Sequence, residues 1–519
     1  MKKILKAVPF IIVSCLFLSA AFIVDAATGS DESLPFELRE PADPVFPARV
    51  CDITDFGAVP DGKTLNTAAF SRAVDKCGSE GGGVVLVPAG EWLTGPIHLK
   101  SNINLRLSEG AVVRFSADRS HYLPPVFTRW EGIECYNYSP LIYARGCDNV
   151  AVTGKGTLDG SGKGWWDWKH LQHAAVQELY DSEFNGIPVA ERVYGTESQA
   201  LRPQMLQLID CRNVLLEDYT IRNSPFWTNH IVYCDGVNVR NIRIINPHNS
   251  PNTDALNIDS SRNVHIDGIF ADVGDDAVCL KSGLNEDGWR VGKPTENVLV
   301  ENCTVKNAHG GFVVGSDTSG GVRNVIVRNC KYDGTDIGLR FKSMRGRGGY
   351  VENVYVSNIS MGTIKNDAVR LNMFYAASSA GNRSDAPPSF KNIFIKNIRC
   401  RHATNAIVIK GLPEQHIRNI GFENIGIKAV SGVSVSDGTD ISMEKMRISV
   451  MSGPVYSIRD TKGFRLGALT TKSPGDLVVL EGGVSGVVLG FPKPEIAEPK
   501  IRIADGIDRT EIVIEEYSE

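Results

Sequence analysis

The sequence predicts an all-β chain: a single-stranded right-handed parallel β-helix with one N-terminal capping helix. Three observations point there. A short phrase recurs along the chain, in which Asn is followed by Val or Ile, one residue, an apolar residue and soon a polar turn residue. It occurs at Asn149, Asn213, Asn238, Asn263, Asn297, Asn324, Asn353, Asn392 and Asn419. After a first gap of 64 residues the intervals run from 25 to 39. Each phrase reads as a short alternating strand, such as Val298-Leu299-Val300 or Val325-Ile326-Val327. One such unit cannot bury its apolar face alone, so imperfect repeats of this length imply stacked coils, three short strands to the coil. Glycine supports the reading, with 51 residues for the turns. The Leu-rich consensus of the competing leucine-rich solenoid is absent. The repeated Asn either forms a side-chain ladder between coils or simply ends strands; the sequence leaves both open.

The elements follow in chain order. Residues 1–26 have the layout of a signal peptide: Lys2, Lys3 and Lys6, an apolar run over 7–24, then Val24-Asp25-Ala26 for cleavage. The run is 18 residues, long enough for an uncleaved membrane anchor, and Cys15 leaves a lipid-modified form open. Residues 27–49 read as a linker, 50–490 as the β-helix domain and 491–519 as a tail. Within the domain, Asp55-Phe56-Gly57-Ala58-Val59-Pro60-Asp61-Gly62 is turn-rich. Thr67 to Cys77 after it carries Ala68, Phe70, Ala73, Val74 and Cys77 at helical spacing. This helix is expected to cap the first coil, whose open edge would otherwise invite pairing with other chains. Residues 155–205, with Trp165, Trp166 and Trp168, are too long for a turn and read as a functional insertion.

Composition excludes several functions. A net charge of −5 and a pI near 6.1 leave no basic field for gathering nucleic acid. With 22% charged and 42% hydrophobic residues the chain is not a disordered one. Ten cysteines lie beyond the leader, with no CxxC and no Cys/His metal spacing, so a zinc site is not expected; no cofactor is assigned. Whether any of the ten pair is left open.

Titratable residues return at one phase of the repeat. Asp254 falls 16 residues after Asn238, Asp275 and Asp276 fall 12 and 13 after Asn263, and His309 falls 12 after Asn297. Arg340 and Lys342 fall 16 and 18 after Asn324. An Asp beside Gly is by itself ordinarily a turn residue, a lone His is structure, and an Arg-x-Lys pair is a solvated face. Four successive coils, stacked about 4.8 Å apart, would nonetheless bring these groups onto one face. Two adjacent aspartates cannot both ionise cheaply in a desolvated site, so one pKa of the Asp275-Asp276 pair is expected to rise. A proton-donating carboxyl and a charged carboxylate are what glycoside hydrolysis needs. The cationic Arg340 and Lys342 would pair with the carboxylate of a uronic acid, for which a neutral sugar has no use.

The residues Asn252-Thr253-Asp254, Gly274-Asp275-Asp276, His309-Gly310-Gly311 and Arg340-Phe341-Lys342, in that order, closely resemble the marks of the polygalacturonases of glycoside hydrolase family 28. The similarity spans roughly residues 50 to 430. Ala308 and Phe341 depart from the family's usual residues without changing a reacting group. The resemblance implies an inverting, metal-free hydrolase of the β-helix class, acting on α-linked galacturonic acid in pectic polymers or oligomers. It casts Asp275 as general acid, Asp254 and Asp276 as the groups that activate water, and His309 as support for the acid. Arg340, Lys342, Asn252 and Tyr375 would bind substrate. The insertion and Arg129-Trp130-Glu131-Gly132-Ile133-Glu134-Cys135 resemble bacterial exo-acting members, whose loops would wall off one end of the groove. The expected protein is an exported monomer, periplasmic or extracellular, with no partner besides its pectic substrate. A rhamnogalacturonan-directed hydrolase, a Ca²⁺-dependent pectate lyase and a non-catalytic carbohydrate binder are the competing readings.

Overall fold

The structure, a computed structural model, describes residues 36, 38, 40–375, 385–467, 470–472, 475–492 and 500–517. The expected leader at 1–26 lies outside them. No described helix is long and apolar enough to cross a membrane.

The chain winds into a right-handed parallel β-helix with three strand faces. The first face stacks the repeated phrase: Arg212–Glu217, Asp235–Arg240, Arg262–Asp267, Thr295–Glu301, Val322–Arg328 and onward. The second stacks three-residue strands such as Phe270–Asp272, Thr304–Lys306 and Lys331–Asp333. The third, which positions the site, stacks Asn229–Val232, Leu256–Asp259, Val278–Lys281, Gly310–Gly315, Ile337–Lys342 and Asp367–Asn372. Alternation fills the interior: Val298 and Val300, then Val325 and Val327, sit one above the other in the core. Each such side chain contributes about 1.5–3 kcal/mol by leaving water.

The repeated Asn does both things the sequence left open. Asn213, Asn263, Asn297, Asn324, Asn353, Asn392 and Asn419 all take positive φ near 55°, a left-handed turn that Asn tolerates better than most side chains. Their amides also join coil to coil. Asn324 Nδ2 donates to Asn297 Oδ1 at 3.1 Å, and Asn324 Oδ1 accepts from Asn353 Nδ2 at 3.2 Å, and the chain continues to Asn392 and Asn419. Asn238 is the exception. Val237, not Val239, pairs with Val214 and Val264, so Gly236 at φ 75° occupies the turn position. Asn238 lies two residues further on and donates to Asp43 and Pro41 instead.

The capping helix spans Thr67–Ser79 and buries Phe70, Ala73, Val74 and Cys77 as expected, with Ala69 rather than Ala68 completing the face. The insertion is built rather than irregular. Helix His173–Phe184 packs Ala175 and Leu179 against Trp130, Ile133, Phe226 and Trp227. Trp165 and Trp168 meet edge to face at 5.3 Å beneath Tyr122 and Tyr138. Two expected boundaries shift. The parallel coils run past residue 490, since Val487–Pro492 pairs with Ile512–Tyr517. The linker's Asp43 is docked on Arg240 at 2.7 Å. All ten described cysteines are buried free thiols.

Candidate active site

The third face brings the predicted residues together by register. Leu256 pairs with Val278, which pairs with Phe312, so Asp254 and Asp276 stand at one level on neighbouring coils and Gly310 takes that level on the next. Backbone bonds tie the same stretch: Ala255 N–H donates to the Asp276 carbonyl, and His309 N–H to the Asp275 carbonyl. On the following coil, Leu339 and Phe341 point into the core while Arg340 and Lys342 point out.

Small residues make the reach possible. A Cβ on Gly310 would run into Val313 and lie 3.3 Å from Asp276 Oδ1, in the space between Asp276 and Arg340. Across that gap Arg340 Nη1 donates to Asp276 Oδ1 at 3.3 Å, and Lys342 Nζ donates to Oδ2 at 2.7 Å. Burial pushes the Asp276 carboxyl up, but Lys342 and Arg340 outweigh it and hold the group below the usual carboxylate range. Asp254 goes the other way. Burial, reinforced by the charge of Asp275, raises it well above that range, and its nearest cation, Lys281, stands off at 3.9 Å. Asp254 is thus raised while Asp276 is lowered, because Lys342 and Arg340 turn to Asp276 and leave Asp254 with the more distant Lys281. Asp275 Oδ1 faces His309 Nδ1 at 3.1 Å. That contact raises the imidazole above its ordinary value against the opposing effect of burial.

Tyr375 closes the cationic side. Its ring centre lies 5.5 Å from the Arg340 guanidinium and 4.9 Å from Lys342 Nζ. Arg340 spends one N–H on Asp276, and no other described residue takes its remaining donors. Asn252 is engaged differently from the expectation of a free substrate ligand: its Oδ1 accepts from Arg202 Nη2 at 2.8 Å. Arg202 comes from the end of the insertion and also donates to the Pro251 and Pro225 carbonyls.

Several polar residues at this face were not among the predicted site residues. Lys281 lies 3.6 Å from Asp317 and 4.6 Å from the Trp227 ring centre. Arg129, from the antiparallel hairpin Val126–Trp130 and Ile133–Asn137, reaches Asp259 at 2.9 Å, and His230 meets the same carboxylate at 3.2 Å. The signal for Lys281 was strand parity: Val278 and Leu280 are core, so Cys279 and Lys281 must face out. Arg129 and Arg202 arrive from insertions whose placement no repeat dictates.

Asp254, Asp276 and Cys279 can each offer one donor atom within 4.8 Å of the others. As a metal site this set fits poorly, because the Lys342 ammonium already occupies one oxygen of Asp276 and Arg340 the other. The arrangement is instead one of two carboxylates, Asp254 and Asp276, pushed in opposite directions beside cations.

Comparison with known proteins places the chain in a family. The family described as "Glycosyl hydrolases family 28" matches residues 191–467. A probable polygalacturonase of Vitis vinifera is 30% identical over 428 residues, 80% of this chain and 81% of that protein. An exo-poly-alpha-D-galacturonosidase of Dickeya chrysanthemi is 27% identical, covering 77% and 71%. The crystal structure of an exopolygalacturonase from Thermotoga maritima is 35% identical and superposes with a TM-score of 0.71, over 86% of this chain and 93% of that one. The chain belongs to glycosyl hydrolases family 28 and is a glycoside hydrolase.

Proposed function

We propose that this enzyme hydrolyses α-linked galacturonic acid in pectic polymers or oligomers, with inversion, and from a chain end. The observation that carries the reading is the division of labour among three carboxylates. Asp276 is held ionised by Lys342 and Arg340, Asp254 is held towards its protonated form, and Asp275 shares a hydrogen bond with a readily protonated His309. In the proposed mechanism Asp276 takes a proton from the attacking water and Asp254 orients that water. The proton kept on the Asp275–His309 pair passes from Asp275 to the leaving oxygen. Attack and departure on opposite faces of the sugar invert the anomeric carbon. The Arg340 donors that no described residue takes, with Lys342 and Tyr375 beside them, would hold a uronate carboxylate, and Asn252 Nδ2, likewise not taken by any described residue, would bind a sugar hydroxyl.

Exo action is supported by the insertion. Glu131 sits at the tip of the Arg129 hairpin and accepts from Tyr180 of helix His173–Phe184 at 3.2 Å. Arg202 fastens the same insertion to the turn carrying Asn252. A wall built this way admits a terminus and blocks a through-running chain. Relatives named for exo action, from Dickeya and Thermotoga, support the same reading. Export is proposed from the layout of residues 1–26, with the enzyme working as a monomer on its polymer.

The test is the product profile on polygalacturonan. Steady release of monomer or dimer with little early loss of viscosity is expected. A rapid viscosity drop with mixed oligomers would reject exo action. Chelator-sensitive formation of an ultraviolet-absorbing unsaturated product would reject hydrolysis in favour of a lyase.

A further inference from the structure

The linker crosses the first face and meets polar side chains there that play no part in the hydrolytic site. Asp43 is held by Arg240 and Asn238, and the Pro41 carbonyl accepts from Asn238 Nδ2 at 3.0 Å. Glu40, next along, brings a carboxylate to His265 and Glu301. One donor atom from each of these three lies within 4.8 Å of the other two. Val264 and Ile266 fill the core, so His265 between them faces outward, yet it is only 7% exposed. Glu301 ends the neighbouring strand and is likewise mostly buried.

Their neighbours prepare these groups for a ligand. Arg328 Nε donates to Glu301 Oε2 at 2.7 Å and fixes the carboxylate, with Oε1 turned to His265 Nε2 at 2.9 Å. Metal-bound carboxylates ordinarily have outer support of this kind. Glu40 adds a second negative charge, which the single positive charge of Arg328 does not balance. Register puts Asn238 in the row of His265 on the preceding coil, one strand spacing or about 4.8 Å away. Asn238 is buried; its Nδ2 is spent on the linker, and its Oδ1 has no partner among the described residues. A buried amide oxygen is costly to leave unpaired, so it calls for a partner from outside the chain.

We propose that Glu40, His265 and Glu301, completed by the Asn238 amide oxygen, bind one Zn²⁺ that fastens the linker to the first face. One imidazole and three oxygens suit the four-coordinate geometry of zinc, whereas Ca²⁺ takes six to eight oxygens. Tetrahedral bonds of about 2.1 Å set ligand atoms about 3.4 Å apart, so His265 and Glu301 part by roughly half an ångström to admit the ion. The ion takes the Nε2 lone pair, which puts the one proton of the neutral imidazole on Nδ1. The ligands come from separate stretches of chain, so no spacing in the sequence marks them. The site lies on the first face, apart from the carboxylates of the third, and its role is to hold the linker in place.

The experiment uses the full chain, stripped with a chelator and then titrated with Zn²⁺ alone. Calorimetry is expected to show one site, and thermal unfolding a midpoint about 2–3 °C higher at a hundredfold excess over Kd. Co²⁺ in its place should give the intense visible bands of a tetrahedral centre. E40Q and H265Q should each lose the site and the shift in midpoint. E40Q alters an exposed side chain, so without metal it should melt with the parent, which keeps the comparison free of misfolding. If the parent binds no Zn²⁺ at about 1 mM, or if both variants bind it as the parent does, the proposal is wrong. Binding that survives in E40Q and is abolished in D254N would place the ion among the third-face carboxylates and overturn it equally.

Discussion

Lys342 donates to Asp276 across an intervening coil: Nζ lies 2.7 Å from Oδ2, although the strand Gly310–Gly315 runs between the strands that carry them. That strand presents Gly310 at the level of Asp276 and Gly315 at the level of Lys342, so neither end of the contact meets one of its side chains. It fixes the charge of Asp276, which decides which carboxylate can accept a proton.

Removing Lys342 should therefore cost both stability and activity. K342M leaves a buried carboxylate with only the longer Arg340 bond, and breaking such a pair costs about 3–5 kcal/mol. Denaturant unfolding is expected to show a loss in that range, with turnover reduced by a hundredfold or more. A variant as stable as the parent would show that Asp276 does not depend on this contact.

Asp254 predicts the opposite sign. Its folded pKa is raised, so the native state binds the proton more tightly than the unfolded chain. Its contribution is then fully favourable only below the unfolded value near 4, and stability is lost as pH rises from there through the folded pKa. D254N, which cannot ionise, should melt higher than the parent, by a margin that widens from pH 4 upward, while losing activity. A margin independent of pH would contradict the raised pKa.

His309 offers a direct titration. Its pKa is raised first by the hydrogen bond to Asp275. In D275N the imidazole should titrate lower than in the parent, followed by its ring-proton NMR signals between pH 5 and 8. An unchanged midpoint would remove Asp275 as its partner. H309A should shift the alkaline limb of the pH–rate profile, where the donated proton is lost, beyond merely lowering the maximum.

The Asn ladder makes a purely structural prediction. N324A loses two amide hydrogen bonds and places Ala in a left-handed turn, at about 1–3 kcal/mol together. N324G keeps the turn and should cost less. Equal losses would mean that the turn conformation contributes nothing.

What was legible in the sequence was whatever the repeat enforces. The strand faces, the capping helix and the convergence of Asp254, Asp275, Asp276, His309, Arg340 and Lys342 follow from a coil of nearly constant length. Where the coil absorbs a substitution the count slips, as at Gly236, which holds the turn that Asn238 was expected to hold. The charge states were not legible. That Asp254 carries the raised pKa depends on how deeply it is buried and on Lys342 turning to Asp276, and neither is a matter of spacing. The insertion was the least legible part: its length was plain, but Arg202 meeting Asn252 is a tertiary contact that no local pattern encodes.

The central claim is that an ionised Asp276 and a proton on the Asp275–His309 pair act from opposite sides of one α-linkage. Proton NMR of the first product formed from an oligogalacturonide tests it most directly. The account predicts that the newly released reducing end appears first as the β-anomer and only later mutarotates. A product that appears first as the α-anomer would mean retention, and the assignment of Asp276 as the base for an inverting attack would be wrong.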